Sequence, residues 1–295
     1  MFELLGIPPQ ALFGQLLIGL INGSFYAILS LGLAVIFGLL NIINFTHGAQ
    51  YMMGAFCAYF LLQYLGVGYW SSLVIVPLAI GAFGILLERT MLQRLYKLDH
   101  LYGLLLTFGL ALIIQGLFRN EFGSSGLPYR IPAELQGGQN LGFMFLPNYR
   151  AWVVFVSLAV CLGTWYVIER TKLGSYLRAA TENPTLVRAF GINVSRMVTL
   201  TYGFGVALAA FAGVLAAPIY QVNPLMGADL IIVVFAVVVI GGMGSIMGSI
   251  VTGFALGMIE GLTKVFYPEA SNTVIFVVMA IVLLVKPAGL FGRTA

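Results

Sequence analysis

Between Glu3 and Glu88 the chain carries no Asp, Glu, Lys or Arg. A stretch so long and so apolar has no charged face to turn to water. A helix that crosses a bilayer needs roughly 20 mostly apolar residues, and this stretch holds several such runs. The rest of the chain follows suit: charged residues make up 8% and hydrophobic ones 60%, against about 25% and 45–50% in a soluble domain. Lipid admits only structures that pair their backbone internally, a helical bundle or a closed barrel. Segments such as 230–240, LIIVVFAVVVI, lack the apolar–polar alternation of a barrel strand. The expected fold is an all-α integral membrane protein: a polytopic helical bundle of about 8–10 transmembrane segments, some broken or short.

Apolar segments lie near 11–29, 30–43, 49–65, 70–87, 101–118, 151–168, 198–217, 229–241, 245–263 and 272–286. They form one transmembrane domain over 1–295, with no basic start at residues 1–10 of the kind a cleavable signal needs. Residues 88–100 hold three Lys/Arg, and residues 169–197 hold five. The positive-inside rule places both in the cytoplasm, and the Gly- and Pro-rich connection at 119–150 outside, in the periplasm. The tail, with Lys286 and Arg293, also reads as cytoplasmic. Cys57 and Cys161 sit in apolar blocks and read as small buried hydrophobes.

Two breaks interrupt the apolar text. The first, NIINFTHGAQ, puts Asn41, Asn44, Thr46, His47 and Gln50 within ten residues. Asn and Gly suit helix ends better than interiors, so Asn44 or Thr46 is a candidate cap for a helix starting near Gly48. Backbone freed by a break survives in a membrane only inside protein or beside a wet cavity. These five residues are therefore candidates to line a translocation path, the alternative being a polar network that joins helices. His47 has no Cys, Asp or Glu at metal spacing, so no metal is expected. The second break, GGMGSIMGS at 241–249, adds Gly241, Gly244 and Ser245 as path candidates, the alternative being close helix packing. The two breaks resemble each other enough to suggest an internal repeat, and matching interruptions point to a transporter's site. Asp229 opens an apolar run as a helix cap at the membrane surface. Glu260 and Lys264 form an i,i+4 pair, expected at the surface.

Residues 174–197 read as a helix, a turn at Asn183–Pro184, a second helix and a stop at Gly191. Leu177, Ala180, Leu186, Val187 and Phe190 recur at helical spacing and must pack on something: the protein's own helices or a docked soluble partner.

At this segment the chain resembles the permease subunits of bacterial high-affinity branched-chain amino acid ABC transporters, of the LivH type. NGSFYAILSLGLAVIFGLLNIINFTHGAQYMMGAF at 22–56, ERTKLGSYLRAATENPTLVRAFGINVSRM at 169–197 and VVVIGGMGSIMGSIVTGFALGMIEG at 237–261 carry the resemblance. It implies a multi-pass protein of the bacterial inner membrane. Its partners would be a second homologous permease subunit, two cytoplasmic ATP-binding subunits and a periplasmic substrate-binding protein. The segment with Arg178, Glu182, Asn183, Arg188 and Gly191 would couple to the ATPase. The chain has no Walker-type phosphate loop, so ATP hydrolysis would come from those other subunits. Neither a cofactor nor nucleic acid is expected, and the cargo implied is a branched-chain or related hydrophobic amino acid. The same machinery carrying urea, short amides or aromatic acids is the nearest rival. A passive channel for a small neutral solute is a rival of another class, with Asn223–Pro224 its slender support. His47→Ala is expected to impair transport and spare membrane insertion; normal uptake at equal expression would refute that role.

Overall fold

The computed structural model describes residues 8–40, 44–96 and 98–292. Eleven α-helices account for most of them. They are α1 (Pro9–Leu40), α2 (Thr46–Leu65), α3 (Tyr69–Thr90), α4 (His100–Phe122), α5 (Asn148–Arg170) and α6 (Lys172–Glu182). Then follow α7 (Pro184–Ala189), α8 (Val194–Ala216), α9 (Met226–Gly241), α10 (Ile246–Phe266) and α11 (Val274–Val285). Six of these are long and apolar enough to cross a membrane: α1, α3, α4, α5, α8 and α10. The helices α9 and α11 are apolar but shorter, about 24 and 18 Å at 1.5 Å per residue, below the ~30 Å hydrocarbon thickness. The chain is thus a multi-pass helical membrane protein. The segments expected at 11–29 and 30–43 form one helix, α1. The division expected at 29/30 is not a break: the helix runs through Ser30, since a membrane helix uses small residues for packing without breaking.

Little else is regular. In the connection expected outside, Gly138–Asn140 (β1) pairs antiparallel with Phe145–Pro147 (β2). Gly142, between them, has φ +82°, and its N–H donates to the Asn140 side chain at 2.9 Å.

The chain divides into two compact units, 1–30 with 131–161 and 233–295, and 31–130 with 162–232. In the first, the initial part of α1 runs against α10 with backbone close to backbone. A Cβ on Gly23 would come 3.0 Å from Phe254, and one on Gly253 2.6 Å from Ala27. The Ser30 hydroxyl donates to the Ser249 carbonyl at 3.3 Å. Tyr26 donates to Glu260 Oε2 at 2.6 Å, and Lys264 approaches Oε1 at 2.5 Å. The i,i+4 pair exists as expected, but its carboxylate is buried because Tyr26 lies across the helix interface.

In the second unit α8 is the central helix, packed on α2 and α3. Gly54 faces Ala210, Gly213 faces the Tyr51 carbonyl and Gly84 faces Val206, each too closely to admit a Cβ. With lipid outside, helices gain little from hydrophobicity and must gain from close approach and polar bonds. Pro77 sits inside α3, where neighbouring helices can satisfy the carbonyl it frees.

Candidate functional site

The first break folds into the opening turn of α2. Asn44, Thr46, His47 and Gln50 are all shut off from solvent; Asn41 lies outside the described residues. The Thr46 hydroxyl donates to Asn44 Oδ1 at 2.5 Å, and Asn44 Nδ2 to Gln50 Oε1 at 3.4 Å. Tyr202 of α8 has Gln50, Thr46 and Asn44 as its polar neighbours. The His47 ring stands against Gly32, where a Cβ would be 2.9 Å from the imidazole. Neither Asn44 nor Thr46 caps the helix: it begins at Thr46, and Phe45 at the cap position offers no side-chain bond. The hydroxyl that could have capped is turned to its neighbour's amide instead.

The other face of the same turn is apolar and open. Phe45, Gly48, Ala49 and Met52, spaced 3, 4 and 7 apart, line a cavity of about 230 Å3. Phe108, Leu112 and Gln115 of α4 and Gly227 and Ile231 of α9 complete it. Gly48 and Gly227 form its floor, where a Cβ on Gly48 would lie 2.5 Å from the Gly227 carbonyl oxygen. Among the described residues Gln115 is its one amide, and no charged side chain lines it. Such a cavity suits an aliphatic group and offers no nucleophile or acid–base pair. Among the described residues no three His, Cys, Asp or Glu side chains gather as a metal set.

The second break is a tight turn. Gly242 (φ +101°) and Gly244 (φ +84°) adopt conformations that favour glycine. Ser245 caps α10 by accepting from the Gly248 N–H at 3.1 Å. A Cβ on Gly241 would lie 2.6 Å from Gly248. The chain after α11 folds back here: Leu290 N donates to the Ile240 carbonyl at 2.8 Å and Phe291 N to that of Gly241 at 3.1 Å. These bonds satisfy carbonyls that the end of α9 leaves open. Asp229 lies in the first turn of α9, exposed.

The basic segment is an ordered elbow. α6 and α7 meet at Asn183, whose side chain caps α7 by accepting from Leu186 N at 3.0 Å. Gly191 turns the chain at φ +81°, and Asn193 caps α8 by accepting from Arg196 N at 3.0 Å. Arg178 pairs with Glu169 at 3.2 Å and donates to the Ile168 carbonyl. Glu182 and Arg188 are exposed. The apolar face divides. Leu177, Ala180 and Val187 are buried, the last two in a cluster with Val194. Leu186 and Phe190 are exposed, at 55% and 77%. One helical stripe cannot turn every residue to one neighbour when α7 has only six residues.

Beneath the elbow lies a fully buried carboxylate. Glu88, in the last turn of α3, accepts from Tyr96 at 2.6 Å and from Thr199 of α8 at 2.8 Å. Gln93 also donates to Ser195 at 3.0 Å. Burial, and after it the bond to Glu88, pushes the Tyr96 phenol well above its ordinary range, so it stays a donor. Sequence reading missed this group because its members lie up to 111 residues apart. It missed the apolar cavity because nothing marks Phe45 or Met52 as unlike any other membrane residue.

The family model for the branched-chain amino acid transport system / permease component matches residues 15–283. The high-affinity branched-chain amino acid transport system permease protein BraD of Pseudomonas aeruginosa is 31% identical, covering 95% of each chain. LivH of Escherichia coli K12, a permease protein of the same description, is 29% identical, again over 95% of each. LivM, described in the same words and from the same organism, is 29% identical over 91% of this chain and 68% of its own length. No solved structure matches the chain. A buried polar turn beside an apolar cavity, a bundle of membrane-length helices and an ordered basic elbow fit a transport component. The chain belongs to the permease family of branched-chain amino acid transport systems.

Proposed function

We propose that the chain is one transmembrane subunit of an ATP-driven ABC importer in the bacterial inner membrane, moving branched-chain or related hydrophobic amino acids. The observation that carries this reading is the end-to-end similarity to BraD and LivH. The elbow adds support: it is basic and ordered, with Leu186 and Phe190 turned outward. In this reading a second homologous permease pairs with the chain, as suits a sequence that matches both LivH and LivM. Of two ATP-binding subunits, one docks on this chain's elbow at Arg178, Glu182, Asn183, Arg188 and Gly191, and a periplasmic binding protein delivers the cargo. ATP binding closes the ATPases, the elbow follows, and the helices alternate between inward- and outward-facing states. The polar turn at Asn44, Thr46, His47 and Gln50 holds the start of α2 in place and is a candidate lining of the path; Gly241, Gly244 and Ser245 are candidates on their own unit. The apolar cavity beside the polar turn meets the aliphatic side chain. Its lack of charge leaves most affinity to the binding protein.

The test is purification of the tagged chain from native membranes in mild detergent, with the copurifying chains identified. A second permease and an ATPase are expected, and uptake of labelled leucine by the reconstituted set. Recovery of the chain alone after crosslinking at Glu182 or Arg188 would favour a passive channel.

A further inference from the structure

A second cavity, also about 230 Å3, opens between the α3–α4 connection and the elbow. Its polar lining includes Tyr96 of the connection, Asp99 and His100 at the start of α4 and Arg188 of α7; Leu95, Val194 and Val198 are among its apolar residues. Asp99 spends one oxygen, Oδ1, in capping α4 through Leu101 N at 2.9 Å. Its other oxygen takes no hydrogen bond from a described residue. Arg188 makes neither an ion pair nor a side-chain hydrogen bond to a described residue. Both side chains are exposed.

Opposite charges that face one small cavity without meeting leave a gap for a ligand carrying both charges. A guanidinium takes a carboxylate through two parallel N–H bonds. The Asp99 oxygen that takes no hydrogen bond from a described residue accepts from an ammonium. Leu95, Val194 and Val198 offer an aliphatic surface between them. The volume falls below the ~300–1,000 Å3 of sites for drug-sized molecules, which disfavours a nucleotide and admits one small amino acid.

We propose that this cavity binds a free aliphatic amino acid as its zwitterion. The cytoplasmic position of the site rests on the transporter reading above, in which this ligand is the product of transport. Bound there, it ties α7 to the start of α4 and holds the elbow to the α3–α4 connection. A ligand that prefers one elbow position shifts the elbow toward it. Turnover therefore slows as product accumulates. The site is separate from the apolar cavity, where no described residue offers a charge to read a zwitterion.

The test titrates the purified chain in detergent with radiolabelled L-leucine, using scintillation proximity. Leucinamide, which lacks the carboxylate, and 4-methylpentanoate, which lacks the ammonium, serve as competitors. Saturable binding displaced by unlabelled leucine and by neither analogue is expected. Asp99→Asn is expected to weaken it roughly tenfold or more, the usual worth of a bond to a charged group. Asn caps a helix as well as Asp does, so the variant keeps the fold. Absence of saturable binding, displacement by leucinamide as effective as by leucine, or unchanged affinity in Asp99→Asn overturns the proposal. In proteoliposomes of the assembled transporter, leucine supplied on the ATPase side is expected to slow uptake in the parent and not in Asp99→Asn. Equal slowing in both overturns the regulatory role. The binding arm needs the single chain only, so it remains readable if the ATPase partnership fails; active uptake without binding defeats this site alone.

Discussion

Glu88 and Thr199 meet across α3 and α8, the threonine hydroxyl donating at 2.8 Å to a carboxylate wholly removed from solvent. Deleting a donor to a buried charged acceptor costs about 1.5–3 kcal/mol. Thr199→Val is expected to destabilise the chain by that amount in equilibrium unfolding in mixed micelles, and Thr199→Ser by less than half of it. Equal losses would assign the effect to packing. Tyr96 adds a pH dependence. The folded state holds its phenolic proton more tightly than the unfolded chain. Its contribution is therefore full below the ordinary tyrosine pKa of about 10 and is lost as pH rises above it. Tyr96→Phe should flatten the alkaline limb of a stability–pH profile.

Two glycines separate packing from helix propensity. A Cβ on Gly213 would overlap the Tyr51 carbonyl, whereas one on Gly109 of α4 meets nothing within 4 Å. Gly213→Ala is expected to cost about 1–3 kcal/mol by forcing α8 from α2. Gly109→Ala is expected to be neutral or stabilising by roughly 0.5–1 kcal/mol. Thermal melting by fluorescence-detected size exclusion would rank the two.

The elbow predicts a separation of effects. Phe190 is 77% exposed and Val187 6%. Phe190→Ala should leave the melting temperature of the isolated chain unchanged and reduce ATPase recovery on copurification, by about 2 kcal/mol or more if it anchors the interface. Val187→Asp should lower the melting temperature itself. Full ATPase recovery with Phe190→Ala would remove this residue from the docking surface.

Glu260 and Lys264 call for a double-mutant cycle. Lys264→Met strands a buried carboxylate with Tyr26 as its remaining partner. With the ammonium side chain 31% exposed, solvent screening reduces the cost to about 2 kcal/mol. Adding Glu260→Gln is expected to restore more than half of that. Losses that simply add would mean that the pair does not interact.

Much of this architecture is legible in the sequence, because charges, Gly and Pro bound the apolar runs. The ends of α3, α5 and α10 fall within a few residues of Glu88, Arg170 and Lys264. The elbow, too, follows from local signals, Asn183–Pro184 and Gly191. What fails is whatever depends on a distant neighbour. Spacing pairs Glu260 with Lys264, but Tyr26, the residue that buries it, lies 234 positions away. The region of α1 reads as two segments because nothing in its own sequence shows that α10 lies against Gly19, Gly23 and Ala27. On α7, Val187 and Leu186 are adjacent and equally apolar, and only the position of α8 decides which is covered.

The glycine contacts along α8 bear on motion. Where Gly54 and Gly213 lay α8 on α2, backbone meets backbone with no layer of side chains to give way, which favours the two helices moving together. The near end of α8, Val194, joins the elbow directly. Its far end at Gly213, about 29 Å on at 1.5 Å per residue, grips α2 at Tyr51, one residue from the cavity-lining Met52. A helix held this closely can carry to one end a displacement received at the other. Work done by a partner at the elbow would then reach the cavity wall by rigid transmission, with no relay of side-chain rearrangements between them.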